Sequence, residues 1–378
     1  MTLTPVTRRM ARLFVVIGML LPAASLALVV RASAPAQDTV PKDNIIVRGR
    51  LFYTDRNVDK SHPAAGLKVE IWDLDGGFPA TGEKLDTTTT DASGRFESKQ
   101  VSNVDRDGPT GQRQGTQDIF LKLFSDNGKI RLLQAGTTQD YTWNSYEINS
   151  RDGQLRDVAD GVVAMPPLYI TESTKDIGAL WTFVNLADAW LYMQAASGGD
   201  PGPVTAYWSK TSRDGPRYDM DQKALFFRDE DAGYSQRIVY YEAFALLHNI
   251  YGTLPAAWLP CIATAQADLR KKEDAACALL HGFATTLPLA VYANPEYETP
   301  DISVIDLDRI APDERGWDKG DTVPGRIAGA FWDIHENDRT DDGFDMYNGT
   351  FGDIWEVFDK ERPNTLAEWW IGWKKLGK

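Results

Sequence analysis

Between Ile238 and Leu247 the chain places nine apolar or aromatic residues around a single charge, Glu242. A helix this apolar on every side is a buried one. Burying an ionised carboxylate costs on the order of several kcal/mol unless the group is paired or neutralised. Glu242 is therefore read as a cleft carboxylate hydrogen-bonded to Tyr241, His281 or Arg326, or else as a glutamate turned to the surface. A Glu242–His281 contact would be a charge-assisted pair.

Few other residues offer chemistry. The histidines are His62, His248, His281 and His335. His248 lies roughly 120° around the helix from Glu242 and faces elsewhere. A relocated metal centre built from His281, His335, Asp333 or Glu336 stands against the commoner reading of ordinary, partly buried histidines. The loop carrying Asp338, Asp341 and Asp345 offers the oxygen ligands that calcium takes, without EF-hand spacing, and solvated acidic loops are common. Trp369, Trp370 and Trp373 are either a sugar-stacking platform or, at helical spacing, core residues docking the last helix. Neither a G-x-S-x-G elbow nor a phosphate-binding Gly-rich loop occurs in the sequence.

The elements that must position these residues fall into two parts. From Asn44 to about Tyr169, segments such as IIVRGRLFY, GLKVEIWD and DIFLKLFSD have the period of strands, separated by turn signals such as Asp75-Gly76-Gly77. This predicts an antiparallel β-sandwich over 44–170. Beyond Pro166-Pro167 the period becomes helical. Helices are expected over 176–196 (capped by Ser173 or Thr174), 234–251, 268–288, 324–336, 350–359 and 365–376, with strands at VTAYW and ALFFR. The fold class is α+β: a sandwich, then an α-rich domain over 171–378 with a small sheet.

Arg8, Arg9 and Arg12 precede the uncharged run Leu13–Val30 and the small residues Ala34-Pro35-Ala36, the layout of a signal peptide over 1–36. An uncleaved anchor is the alternative, and only then would a membrane be a partner. The formal charge of −14 becomes −18 without that segment, since it holds four arginines and no acid. Such a balance excludes a typical nucleic-acid binder, and a secreted or extracytoplasmic location makes a Cys261–Cys277 disulfide an alternative to two buried thiols.

Two resemblances follow from these residues. The segment with Gly49, Gly66–Trp72 and Asp91–Phe96 resembles the carboxypeptidase-regulatory-like, transthyretin-like module, which implies a spacer or binding accessory. The helix at Tyr241-Glu242-Ala243-Phe244-Ala245 resembles the zinc-binding helix of HExxH metallopeptidases of the gluzincin type. Leu280-His281-Gly282-Phe283-Ala284 is similar to the helix that supplies their third ligand, and Gly325–Asp333 to a later helix of some secreted members. The resemblance implies Glu242 as a vestigial general base, with Tyr241, Ala245, His281 and Arg326 around it. Tyr241 and Ala245 replace both histidines and His281 replaces a glutamate, so zinc is expected to be lost, calcium remaining an option. The expectation is an exported, non-catalytic pseudo-metallopeptidase that binds or scaffolds an extracellular protein, peptide or glycan through the retained cleft around Glu242. The alternatives are an active metal-dependent hydrolase with a relocated centre, and an extracellular adhesion or glycan-binding protein.

Overall fold

Along strand Asn44–Thr54, Ile45, Val47, Leu51 and Tyr53 are buried while Ile46, Arg48, Arg50 and Phe52 alternate with them on the other face. That period of two is what a strand covering a core on one side requires. The computed structural model describes residues 40–54, 61–75, 82–106, 115–263, 268–299, 303–310, 315–336 and 349–378. The signal-peptide reading of 1–36 and the calcium reading of Asp338, Asp341 and Asp345 lie outside them.

Strand Asn44–Thr54 organises the first sheet. It pairs antiparallel with Ser61–Pro63, Arg95–Glu97 and Val101–Ser102, and in parallel with Gly161–Ala164 and Leu168–Ile170. Gly49 sits opposite Phe96, where an added Cβ would come within 2.8 Å of the ring. In a second, antiparallel sheet Lys68–Asp73 lies between Lys84–Thr89 and Ile119–Phe124. The pairing is thus mixed, because two returning segments run alongside the first strand in its own direction.

A third sheet takes strands from both sides of residue 170. Ile130–Gln134 pairs in parallel with Val204–Ser209, which pairs in parallel with Ala224–Arg228. A parallel neighbour needs a long crossover, and helix Ile177–Ser197 lies within this one. The helix is buried nearly all round from Gly178 to Ala187. Its N-cap is Asp176 rather than Ser173 or Thr174, in a left-handed conformation without a side-chain cap.

Helices Ser235–Tyr251, Ala275–Tyr292, Pro324–His335, Phe351–Glu361 and Leu366–Lys375 follow, with a hairpin of Glu296–Glu298 and Val304–Asp306. The α+β class holds. Ala275–Tyr292 starts later and ends later than expected: Asp274 caps it by accepting from Ala276 N at 2.9 Å, and the helix runs through Pro288. A proline there forgoes one backbone bond, a loss offset by burial of Leu279, Leu280, Phe283 and Leu287. The same helix is long and apolar enough to cross a membrane, but its surface is spent on the core. An added Cβ on Gly282 would lie 2.7 Å from Ile327, so this glycine sets the close approach of helices Ala275–Tyr292 and Pro324–His335.

Cys261 and Cys277 form a disulfide with their Cα atoms 5.3 Å apart. The bond ties the turn at Leu259–Ile262 to the first turn of helix Ala275–Tyr292 across a separation of 16 residues. Closing a loop of that size is worth about 3 kcal/mol through the unfolded chain. A Cys261→Ala/Cys277→Ala variant should lose about that much in urea unfolding; an unchanged midpoint would contradict it.

Of the tryptophans of the last helix, Trp369 and Trp373 stack with ring centroids 4.9 Å apart, and Trp369 meets Phe331 at 4.7 Å. Both are buried, as core residues docking this helix, while Trp370 is partly exposed.

Candidate functional site

Helix Ser235–Tyr251 enters the core after the short turn Asp231–Gly233 and buries residues on every side, as its apolar sequence requires. Glu242 is 0% exposed, and among the described residues neither of its oxygens has a hydrogen-bond partner. Burial, and after it the charge of Asp188, pushes its carboxyl well above the usual carboxylate range. Asp188 comes from the neighbouring helix Ile177–Ser197, is half-buried, and is pushed up by burial to about 7. The negative charge of Asp188 opposes ionisation of Glu242 on top of its burial, so near neutrality Glu242 retains its proton.

Around the pair stand hydroxyl and amide groups. Tyr292 donates to Asn185 Oδ1 at 2.7 Å, and Asn185 Nδ2 donates to Trp181 O at 2.7 Å, which fixes the amide. The Tyr292 hydroxyl is raised well above its usual value by burial, with Tyr53, Asp188 and Glu242 adding to it and Ser235 opposing them. The arrangement is a pair of carboxyls with raised pKa values, one fully and one partly buried. A carboxyl poised near 7 can take or give a proton under neutral conditions.

The residues expected around Glu242 go elsewhere. Tyr241, 5% exposed, packs edge-on to Phe244 with ring centroids 5.8 Å apart. Its hydroxyl is pushed up to about 12 by burial and by Asp231, against the opposing charges of Arg237 and Arg228. Ala245 is 4% exposed. His281, 2% exposed, donates from Nδ1 to Glu273 Oε2 at 2.7 Å, with Nε2 3.4 Å from the Cys261 carbonyl. Arg326 donates from Nε to Asp318 O at 2.8 Å and lies over Trp317. None of the three hydrogen-bonding partners expected for Glu242 reaches it.

This set does not fit zinc. A site of this kind needs three protein donors and an open position. Ala245 has no donor atom, Tyr241 resists ionisation, and His281 is turned toward Glu273.

The remaining candidates also find places. Asp333 and Glu336 converge with Asp308, with one oxygen of each within 4.8 Å of the others. Arg309 Nε lies 3.6 Å from Asp308. His335, whose ring is lowered in pKa by burial, sits with Nε2 3.3 Å from the Tyr192 hydroxyl. His248 Nδ1 lies 2.7 Å from the Tyr218 hydroxyl, and His62 stacks on Tyr53. The histidines are thus spread over separate contacts.

Two residues of the site escaped sequence reasoning. Asp188 is the only charged residue between Gly178 and Met193, the same signal that singled out Glu242 one helix later. Asp231 closes the acidic run Asp229-Glu230-Asp231, where nothing local marks one acid as buried, yet it is fully buried. It accepts from Arg228 N, Nε and Nη2 at 2.9, 3.1 and 3.1 Å, and from Arg237 Nη1 at 3.3 Å.

Fold and site together describe an α+β protein whose α-rich part encloses a carboxyl pair between two core helices. The chain belongs to the Mycolysin C-terminal domain family, which matches residues 185–377 and so takes in Asn185, Asp188, Glu242 and Tyr292. That membership supports a peptidase-associated protein. No curated protein matches the chain. Among solved structures it is similar to a 9R-lipoxygenase from Cyanothece at 15% identity, covering 54% of this chain and 31% of that one, with a TM-score of 0.22. An (S)-allantoin synthase is similar at 11% identity, covering 35% of this chain and 43% of that one, with a TM-score of 0.19. A 3-chlorocatechol 1,2-dioxygenase from Rhodococcus opacus is similar at 16% identity, covering 35% and 62%, with a TM-score of 0.17. The chain therefore spans less than two thirds of each, and likenesses this slight carry no argument.

Proposed function

We propose that the chain is an exported, peptidase-related protein that binds an extracellular partner and does not hydrolyse peptides through zinc. One observation carries this reading: Glu242 is enclosed beside Asp188, with no histidine hydrogen-bonded to it. A general base of a zinc peptidase serves a metal-bound water, and without a metal to acidify that water it has no nucleophile to activate. Family membership supports the peptidase-related part, since the domain occurs in secreted proteases. With Tyr241, Glu242, Ala245 and His281 buried, the partner meets other surfaces of the α-rich part.

Metal analysis of the dialysed full chain tests the proposal. The expected result is no stoichiometric zinc. One equivalent of zinc, lost in Glu242→Gln or His281→Ala, would overturn it. The hydrolase alternative has its own observation in the convergence of Asp308, Asp333 and Glu336. It predicts chelator-sensitive turnover that Asp333→Asn abolishes and Glu242→Gln leaves unchanged.

A further inference from the structure

The outward face of strand Asn44–Thr54 carries more positive charge than its neighbours offset, Asp91 acting on Arg95 alone. Arg48 and Arg50 are two residues apart and share that face, and Arg95 sits directly opposite Arg50 on the neighbouring strand. Like charges in cross-strand register are destabilising. Glu97 is the cross-strand neighbour of Arg48, yet among the described residues no carboxylate comes within salt-bridge distance of any of the three arginines. They line a groove of about 640 Å³ with Asp91 and Glu97 on its walls and Phe96 and Met165 in its lining. This is a cationic groove on a chain whose formal charge is −14.

The groove is ordered before any ligand arrives. Arg50 donates from Nε to Ser93 O at 2.7 Å, and its guanidinium lies 4.5 Å over the Phe52 ring. That fixes the plane of the fork and leaves its terminal nitrogens for a bidentate acceptor. Phe52 also stacks on Tyr169, with ring centroids 5.1 Å apart and planes 11° from parallel. Tyr169 is 50% exposed and lies at the edge of the groove, two residues beyond its lining residue Pro167 and paired with Phe52.

The geometry points to a binding site for an acidic saccharide, a sugar ring bearing a carboxylate, on this face. The carboxylate pairs with the arginines and relieves the repulsion between Arg50 and Arg95. The apolar face of the ring packs on Tyr169, since an aromatic side chain combines large apolar contact area with a polar tip. Asp91 and Glu97 then accept from hydroxyls, a role that would be repulsive toward a polyphosphate or an acidic peptide. The long-range repulsion of the acidic chain is screened over about 10 Å at ordinary salt, whereas contact pairs in the groove persist. The site lies wholly outside residues 185–377 and is independent of the proposed function.

Calorimetric titration of the full chain with oligogalacturonate tests the inference, with the methyl-esterified oligomer, poly-L-glutamate and inorganic sulfate as comparison ligands. Binding is expected for oligogalacturonate and should be lost on esterification. Arg50→Gln and Tyr169→Ala should each weaken it by about tenfold or more, the range for losing one charge-assisted or aromatic anchor. Arg48→Gln, at an exposed position, should weaken it with an unchanged melting temperature, which separates binding from folding. Absence of binding, or binding indifferent to Arg48→Gln and Arg50→Gln, would overturn the inference. So would equal affinity for poly-L-glutamate or sulfate with no effect of Tyr169→Ala, which would mark the groove as a general anion or acidic-peptide site.

Discussion

Glu242→Met stabilises the protein at neutral and alkaline pH, by about 2 kcal/mol near pH 8, and the gain shrinks toward pH 5. The physical basis is a carboxyl at 0% exposure with no partner for either oxygen among the described residues. Its folded pKa lies above its unfolded one, through burial and then Asp188. Below the unfolded value both states are protonated and the group's contribution to stability is complete. As pH rises, the unfolded chain ionises first and holds fewer protons than the folded one, so stability falls until the folded pKa is passed. Asp188 has the same sign, from its ordinary value up to about 7. Methionine of similar length removes the buried polar group and fills the same space. Urea unfolding of wild type and variant at several pH values measures the difference directly. A difference independent of pH, or a variant less stable near pH 8, would rule this account out. A group retained at such cost to stability is one that folding alone would not select.

The opposite outcome is expected one turn before the same helix. Asp231→Asn should cost about 3–5 kcal/mol, because removing one partner of a buried ion pair strands the other. Asp231 is fully buried and joins Arg228 from strand Ala224–Arg228 to Arg237 from the first turn of the helix. It thereby fixes the entry of the helix that carries Tyr241, Glu242 and Ala245. Combining Asp231→Asn with Arg237→Met should recover part of the loss, since the cycle measures their coupling. Simple additivity of the two single variants would show that the network is not a unit.

Much of this architecture was legible in the chain. Strand Asn44–Thr54 and helix Ser235–Tyr251 follow from periods of two and of 3.6, because alternating or striped apolar residues have one way to face a core. The short strands Gly161–Ala164 and Leu168–Ile170 were not foreseen, since they have few residues and gain their stability from pairing with a distant strand. Helix Ala275–Tyr292 continues through Pro288 because packing against neighbouring helices outweighs a local preference. The site was legible by half. Glu242 stood out as one charge in an apolar run, and Asp188 met the same criterion without being recognised as its neighbour.

The sequence by itself determined the α+β class, the burial of the Glu242 helix, and the presence of Tyr241 and Ala245 one turn apart beside Glu242. These are properties of residue type and spacing along one element. Tertiary structure alone decided which groups meet. It placed Asp188 beside Glu242, turned His281 to Glu273, and closed Cys261 on Cys277. It also set Arg95 opposite Arg50 beside a stacked Phe52 and Tyr169. The reason is that carboxyl pairs and arginine grooves depend on the angle and register between elements. Those are set by how whole surfaces fit together, and no local spacing encodes them.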